Sequence, residues 1–400
     1  MIITSRRSLL AGLSALPLLQ ASPTLAQAVT QKVKTTIGVG LFTEGSALVA
    51  AMQAGDLINK AATELHTALE LETLDFQVLL RMVQGIVAGQ IQIGMLGSTP
   101  MIRMLATANP AIPLALAGGG VNFPLMVNPD SKIHNIQDLQ GKTILTLVGS
   151  DLHLVLVLML KAEFGHDDTK KLGISLRNAQ ANPDLARRQP GVDVYAGTEP
   201  YGAMAERTGE LAYLAYNNGT TGATWEGAEG KGAGHTIANF KATRFAPEAY
   251  YPHRIWWAAR RDYIEQHPME VTAFLVANAR AAEQMSAAPL DELIKMGGAK
   301  WPGDITDQRK FAERILWRRR GWAWATEGDV RSLIQLSSTK TIYETELKPE
   351  NVKKLIALAA PSARKAWEIM QMKPTESVFT DPSASDRRGL PLWDVEKWSL

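Results

Sequence analysis

No cysteine occurs among the 400 residues. That absence excludes disulfides and thiol catalysis, and it removes the lipid-bearing cysteine that anchors many exported bacterial proteins. A surplus of either charge is also lacking. With 42 Lys and Arg against 40 Asp and Glu the formal charge is +2, too even to support nucleic-acid binding as a default. Histidines number seven and show no HExxH or comparable ligand spacing, so no metal site and no cofactor is expected. The weakly apolar run near the start, to about residue 19, is too short and too rich in Ala and Gly to span about 30 Å of hydrocarbon. What remains is ordinary for a soluble globular chain, 46% hydrophobic and 20% charged, with length enough for two domains.

The first residues read as a signal rather than as fold. Ser5-Arg6-Arg7-Ser8-Leu9-Leu10 is a twin-arginine pattern, and Ala26-Gln27-Ala28 supplies a small-x-small cleavage site. Residues 1–28 are therefore expected to be a twin-arginine signal peptide. Removing Arg6 and Arg7 leaves 40 basic and 40 acidic residues, a formally neutral mature chain. Without disulfides it must be stabilised by its core alone, which about 370 residues can supply. The expectation is a freely diffusing protein of a bacterial periplasm.

From Val33 onward strand and helix patterns alternate. Strands are expected at 34–41, 71–76 and 91–96, and helices at 47–69, 77–88 and 101–108, with Gly89 as a C-terminal cap. Segments 113–117 and 121–127, separated by three glycines, look like further strand and crossover. A second series starts near Asp138, with strands at 143–147, 174–177, 192–196 and 211–216 and helices at 152–164 and 201–208. The glycine-rich piece 217–234 reads as a long loop. Residues 255–259 form another strand, and beyond Arg261 the pattern is helical almost throughout. Such alternation argues for mostly parallel sheets covered by helices.

The stretch 138–153, DLQGKTILTLVGSDLH, carries the clearest chemistry. A polar turn feeds a β-prone run that stops at Gly149-Ser150-Asp151, and a long apolar segment follows. A strand ending in a small-residue loop whose Ser or Asp caps a helix leaves backbone N–H groups and the positive end of the helix dipole available to an anion.

Five short motifs occur in an order that resembles a known family. They are Ala88-Gly89-Gln90-Ile91-Gln92-Ile93-Gly94, Asp138-Leu139-Gln140-Gly141-Lys142, Gly149-Ser150, Val192-Asp193-Val194-Tyr195-Ala196-Gly197-Thr198-Glu199-Pro200 and His267-Pro268-Met269-Glu270-Val271. Together they resemble the periplasmic solute-binding proteins of ABC importers, in the nitrate, sulfonate, taurine and bicarbonate group. Gln92 departs from the pattern, standing where that family usually has an acid. The resemblance implies an α/β, two-lobed, type II periplasmic-binding-protein-like fold, with a hinge of crossover strands and a central ligand cleft. Lobe one would comprise 33–122 plus 255–370, lobe two 123–254, with 371–400 an irregular C-terminal tail. It also implies an ABC permease of the inner membrane as partner, no catalysis and a monomer.

In open parallel sheets ligands sit beyond the carboxyl ends of the strands. Four loops answer that description, 42–46, 97–99, 149–153 and 198–201. The ligand-binding candidates they supply are Thr43, Glu44, Ser46, Ser98, Thr99, Ser150, Asp151, His153 and Glu199, with Tyr251 from the return crossover. Several have a plainer reading. Ser98 and Thr99 can simply cap a helix, His153 can simply pack, and Glu199 can be a carboxylate held by backbone N–H groups of lobe two. Asp151 beside an anion would cost about 4 kcal/mol at 4 Å for an effective dielectric near 20, so Ser150 is expected to face the ligand and Asp151 to cap or face water. Trp256 by the crossover is expected to pack in the core, and Arg318, Arg319 and Arg320 to form a solvated helix face.

Possible acids at Glu44 and Glu199, with no obvious cleft arginine, point away from bare nitrate. They favour an organic anion or zwitterion that brings donors of its own. Two other classes stay open. An enzyme on the same fold, a lyase or dehydratase, would have only Glu44, Asp151, His153 and Glu199 as acid or base. A periplasmic ligand sensor would use the same cleft for signalling.

Overall fold

The computed structural model describes residues 32–41, 45–77, 79–119, 123–216, 253–297, 300–314, 322–371 and 389–400. The twin-arginine segment, Thr43, Glu44, the glycine-rich piece 217–234, Tyr251 and Arg318 to Arg320 lie outside the described residues.

The chain begins with β1 (Val33–Gly40), α1 (Gly45–Ala54), α2 (Leu57–Glu64), β2 (Leu69–Phe76), α3 (Leu79–Val87), β3 (Ile93–Gly97), α4 (Ser98–Leu105) and β4 (Ala111–Gly119). It continues through β5 (Pro124–Val127), β6 (Thr143–Thr146), α5 (Asp151–Phe164), β7 (Ser175–Asn178), β8 (Val194–Ala196), α6 (Tyr201–Arg207) and β9 (Ala212–Tyr216). β10 (Arg254–Arg260) is followed by α7 (Arg261–Gln266), α8 (Pro268–Ala287), α9 (Leu290–Gly297), α10 (Ile305–Arg314), α11 (Glu327–Leu336) and α12 (Pro349–Met370).

Two five-stranded sheets result, ordered β2-β1-β3-β10-β4 and β7-β6-β8-β5-β9. The two orders share one logic. Parallel strands fill one side of each sheet, and a strand arriving from the other sheet, β10 or β5, inserts antiparallel between two neighbours. The chain therefore passes between sheets twice, from β4 to β5 and from β9 to β10. This is the two-lobed arrangement of a type II periplasmic binding protein.

Sequence explains each strand's place. β4 (AIPLALAGG) is buried at all nine positions, as a strand covered by helices must be. β2 (LELETLDF) alternates Leu with acids and sits at a sheet edge with its acidic side chains outward. Behind the first sheet α8 packs against α1, α2 and α12. Trp257 of β10 reaches that layer, where its indole N–H donates to Asn278 Oδ1 at 2.8 Å and its ring meets Phe274 edge-on. Trp256, fully buried, is core as expected.

Some boundaries differ from the sequence reading. The helix expected over 47–69 is two helices, because the chain turns at Gly55-Asp56. Asp56 takes a left-handed φ of 51° and is hydrogen-bonded by the Asn59 amide at 2.6 Å. β2 then starts at Leu69. Beyond 372–388, which lie outside the described residues, the tail differs from the irregular segment expected. Leu392–Lys397 is a short 3-10 helix packed on α12. Trp393 stacks with Trp324 and Trp367, and the Ser399 N–H and hydroxyl both donate to Glu327.

Candidate functional site

β3 and β6 end at the same seam, one from each sheet. β3 runs into Gly97 and then α4, and β6 leads through Gly149 and Ser150 into α5. Gly97 is the N-cap of α4 and offers no capping side chain, so Ser98 and Thr99 are the first two helical residues rather than caps. Their N–H groups are capped from the other lobe. Asp151 accepts from Ser98 N at 3.1 Å and Thr99 N at 2.6 Å, and the Thr99 hydroxyl hydrogen-bonds the same carboxylate. Gly97 is required for this approach, because a Cβ there would stand 2.3 Å from Asp151 Oδ2. Gly149, at φ +85°, is the counterpart, where a Cβ would stand 2.9 Å from a guanidinium nitrogen of Arg103.

Ser150 and Asp151 both differ from the orientation expected of them. The Ser150 hydroxyl is used locally, accepting from Leu152 N at 3.2 Å and donating to Leu147 O at 2.6 Å, which caps α5. Asp151 neither faces water nor caps its own helix. It is buried and acts as an anion on the dipole of α4.

Burial pushes the Asp151 carboxyl above its usual range, while the hydrogen bonds from Thr99 and Ser98 pull it back. His253 Nδ1 lies 3.7 Å from Asp151 Oδ2. Burial, followed by the Arg254 charge, lowers that imidazole to about 3, so the ring is neutral and the two groups do not form an ion pair. His153 is lowered to about 4, first by burial and then by Arg103. Its Nδ1 accepts from Gly149 N at 3.2 Å, which assigns the ring proton to Nε2. That Nε2 is buried and has no hydrogen-bond partner among the described residues. Tyr343 donates to the Thr99 hydroxyl at 3.2 Å and closes the seam on the first lobe.

Both oxygens of Glu199 are engaged inside the second lobe, one by Ala203 N at 3.0 Å and the other by the Tyr213 hydroxyl at 2.8 Å. This is the plainer reading of that residue, a carboxylate tying the start of α6 to β9. Ser46 is buried in the first turn of α1.

The sequence offers no obvious cleft arginine, yet the Arg103 guanidinium reaches the seam beside Gly149. Arg103 lies four residues beyond Thr99 on α4, a spacing that returns to the same helix face and could have flagged it. Tyr343 and His253 carry no such signal, because the segments that bring them are remote in the chain.

A model of the family described as NMT1/THI5 like matches residues 80–292, more than half of the chain. The protein belongs to the NMT1/THI5-like family. No curated protein sequence matches it. Among solved structures this family member is similar to the periplasmic nitrate-binding protein NrtA of Synechocystis PCC 6803, with TM-score 0.63, 10% identity, and 86% of this chain and 92% of that one covered. It is also similar to the periplasmic sulfonate-binding protein SsuA of Methylobacillus flagellatus KT, with TM-score 0.58, 15% identity, and coverage of 86% and 97%. The alkanesulfonate-binding SsuA of Xanthomonas axonopodis pv. citri, bound to MOPS, gives TM-score 0.54 at 15% identity, covering 82% and 97%. At these identities the likeness is one of fold. The NMT1/THI5-like chain shares their two-lobed architecture, and what its own seam holds must be argued from its own residues.

Proposed function

We propose that this NMT1/THI5-like protein is the periplasmic solute-binding component of an ABC importer. It captures a small organic anion or zwitterion, of sulfonate or carboxylate type, between its lobes and delivers it to the membrane permease. The observation that carries this reading is the meeting of α4 and α5 end to end across the seam. Backbone amides, Asp151, Arg103 and His153 converge there from both sheets. Such a constellation binds and orients, and it needs no covalent chemistry. Hinge closure sequesters the ligand, and opening releases it.

Export through a twin-arginine signal and action as a monomer belong to the same reading. A thermal-shift screen of the protein against sulfonates, amino sulfonates, carboxylates, nitrate and bicarbonate tests it. A ligand of the folded state raises Tm by mass action, about 2.7 kcal/mol of stabilisation at a hundredfold excess over Kd. Sulfonates or carboxylates are expected to do so in a saturable way. Failure of every compound, with the protein folded, would overturn the reading.

A further inference from the structure

We propose that Asp151 is the specificity-determining residue of the seam. It occupies the amide pair that would otherwise take a ligand's anionic group, and it turns the site towards ligands that present a protonated amine or another N–H donor. The inference rests on the solute-binding reading above and narrows it.

The geometry is specific. The Ser98 and Thr99 N–H groups at the start of an eight-residue helix are the natural anion contact of the first lobe. A carboxylate from the second lobe already bonds both, at 3.1 Å and 2.6 Å. Its place is built rather than incidental, since the missing Cβ at Gly97 leaves just the room its Oδ2 fills. A bare inorganic anion arriving there must displace Asp151 or sit against it, and either costs Coulomb energy in a buried site.

A second observation concerns the other end of the ligand. His153 is 7% exposed, and its Nε2 has no partner among the described residues. The Arg103 guanidinium lies beside the same Gly149 that bonds the His153 ring. One seam thus holds a carboxylate together with a cation and an unused N–H donor. A ligand with a donor end for Asp151 and an acidic end for Arg103 and His153 matches both. Nitrate or methanesulfonate matches only the second.

Calorimetry with taurine, methanesulfonate and nitrate as probes tests this on wild type, Asp151→Ala and Asp151→Asn. Asp151→Ala frees the amide pair, and Asp151→Asn removes the charge that opposes an anion there. Methanesulfonate or nitrate is expected to bind the variants about tenfold or more tightly than wild type, and taurine about tenfold or more weakly, as for loss of a hydrogen bond to a charged group. Asp151→Asn keeps the side-chain volume and serves if the alanine variant does not fold. Unchanged or weakened anion binding in both variants would overturn the inference and leave Asp151 a structural joint between the lobes. The solute-binding reading fails differently, through absence of binding to wild type by the whole compound set. Even then, anion binding gained by the variants would uphold the blocking role of Asp151.

Discussion

The Arg207 guanidinium of α6 grips the Asp307 carboxylate of α10 through two hydrogen bonds, Nε to Oδ1 at 3.3 Å and a terminal nitrogen to Oδ2 at 2.7 Å. α6 packs on the second sheet, whereas α10 packs on α9, which lies against α1 of the first. This pair is therefore a second tie between the lobes. Asp307 is nearly buried and Asp304 adds a further charge 3.3 Å from the guanidinium.

If closure and binding are coupled, Arg207→Ala weakens binding by loosening the tie between the lobes. Half-exposed pairs contribute about 1 kcal/mol at most, so the expected rise in Kd is about fivefold, carried by faster dissociation. Stopped-flow displacement measures it. An unchanged off-rate would show that the pair does not hold the lobes together.

Glu199→Gln should separate the two readings of that residue. Its carboxylate serves Ala203 N and the Tyr213 hydroxyl, so the substitution is expected to cost about 1–2 kcal/mol of stability while leaving Kd within about twofold. Urea unfolding and calorimetry on the same sample decide. A large loss of affinity at unchanged stability would place Glu199 in the ligand site after all.

Acid should destabilise the fold before the carboxylates protonate. His153 and His253 are held at about 4 and about 3, mainly by burial, against an ordinary value of 6.5. Both are neutral when folded, so their contribution is complete above pH 6.5 and is lost as pH falls towards 4. In that window the unfolded chain binds the extra protons, and each imidazole costs up to about 1.4 kcal/mol per pH unit. Asp151 opposes this, because its raised folded value means that protonating it relieves a burial cost. Urea midpoints measured from pH 7.5 to 4.5 should stay level down to about pH 6.5 and then fall in wild type, and fall less steeply in the double variant His153→Gln, His253→Gln. Equal slopes would contradict the assigned neutral forms.

Arg254 and Asp329 form a buried pair at 2.9 Å, between β10 and α11, and Asp329 also caps its own helix through Thr326. Asp329→Ala leaves a buried guanidinium without this partner and is expected to cost about 3–5 kcal/mol. Replacing both by apolar residues, Arg254→Met with Asp329→Leu, should recover part of that loss in denaturant titrations. No recovery in the double variant would mean that the cap at Thr326, not the ion pair, carries the stability.

Much of this architecture is legible in the sequence because it depends on local pattern. The apolar run before Gly149 and the Ser150-Asp151 step before a second apolar run specify β6 and α5 without any tertiary information. The partner of Asp151 is not legible, because Gly97, Ser98 and Thr99 lie more than fifty residues away on another sheet. Nothing local says that a glycine there makes room for a carboxylate. The same reason hid Tyr343 and the docking of Trp393 on Trp367, since both depend on which distant helix covers which face. Arg103 is an intermediate case, readable from its spacing to Thr99 once that residue is placed on a helix. Misplaced boundaries arose where one residue, such as Asp56 in its left-handed turn, overrides a helical pattern.

As a solute-binding protein, the chain would hold one small organic molecule between its two lobes. Isothermal calorimetry of the wild-type protein against the sulfonate, amino sulfonate and carboxylate set tests it most directly. Saturable binding of one molecule per chain is expected, tighter for compounds carrying both an acidic group and an N–H donor than for nitrate. Absence of saturable binding across the set by folded protein, or equal affinity for nitrate and the donor-bearing compounds, would contradict it.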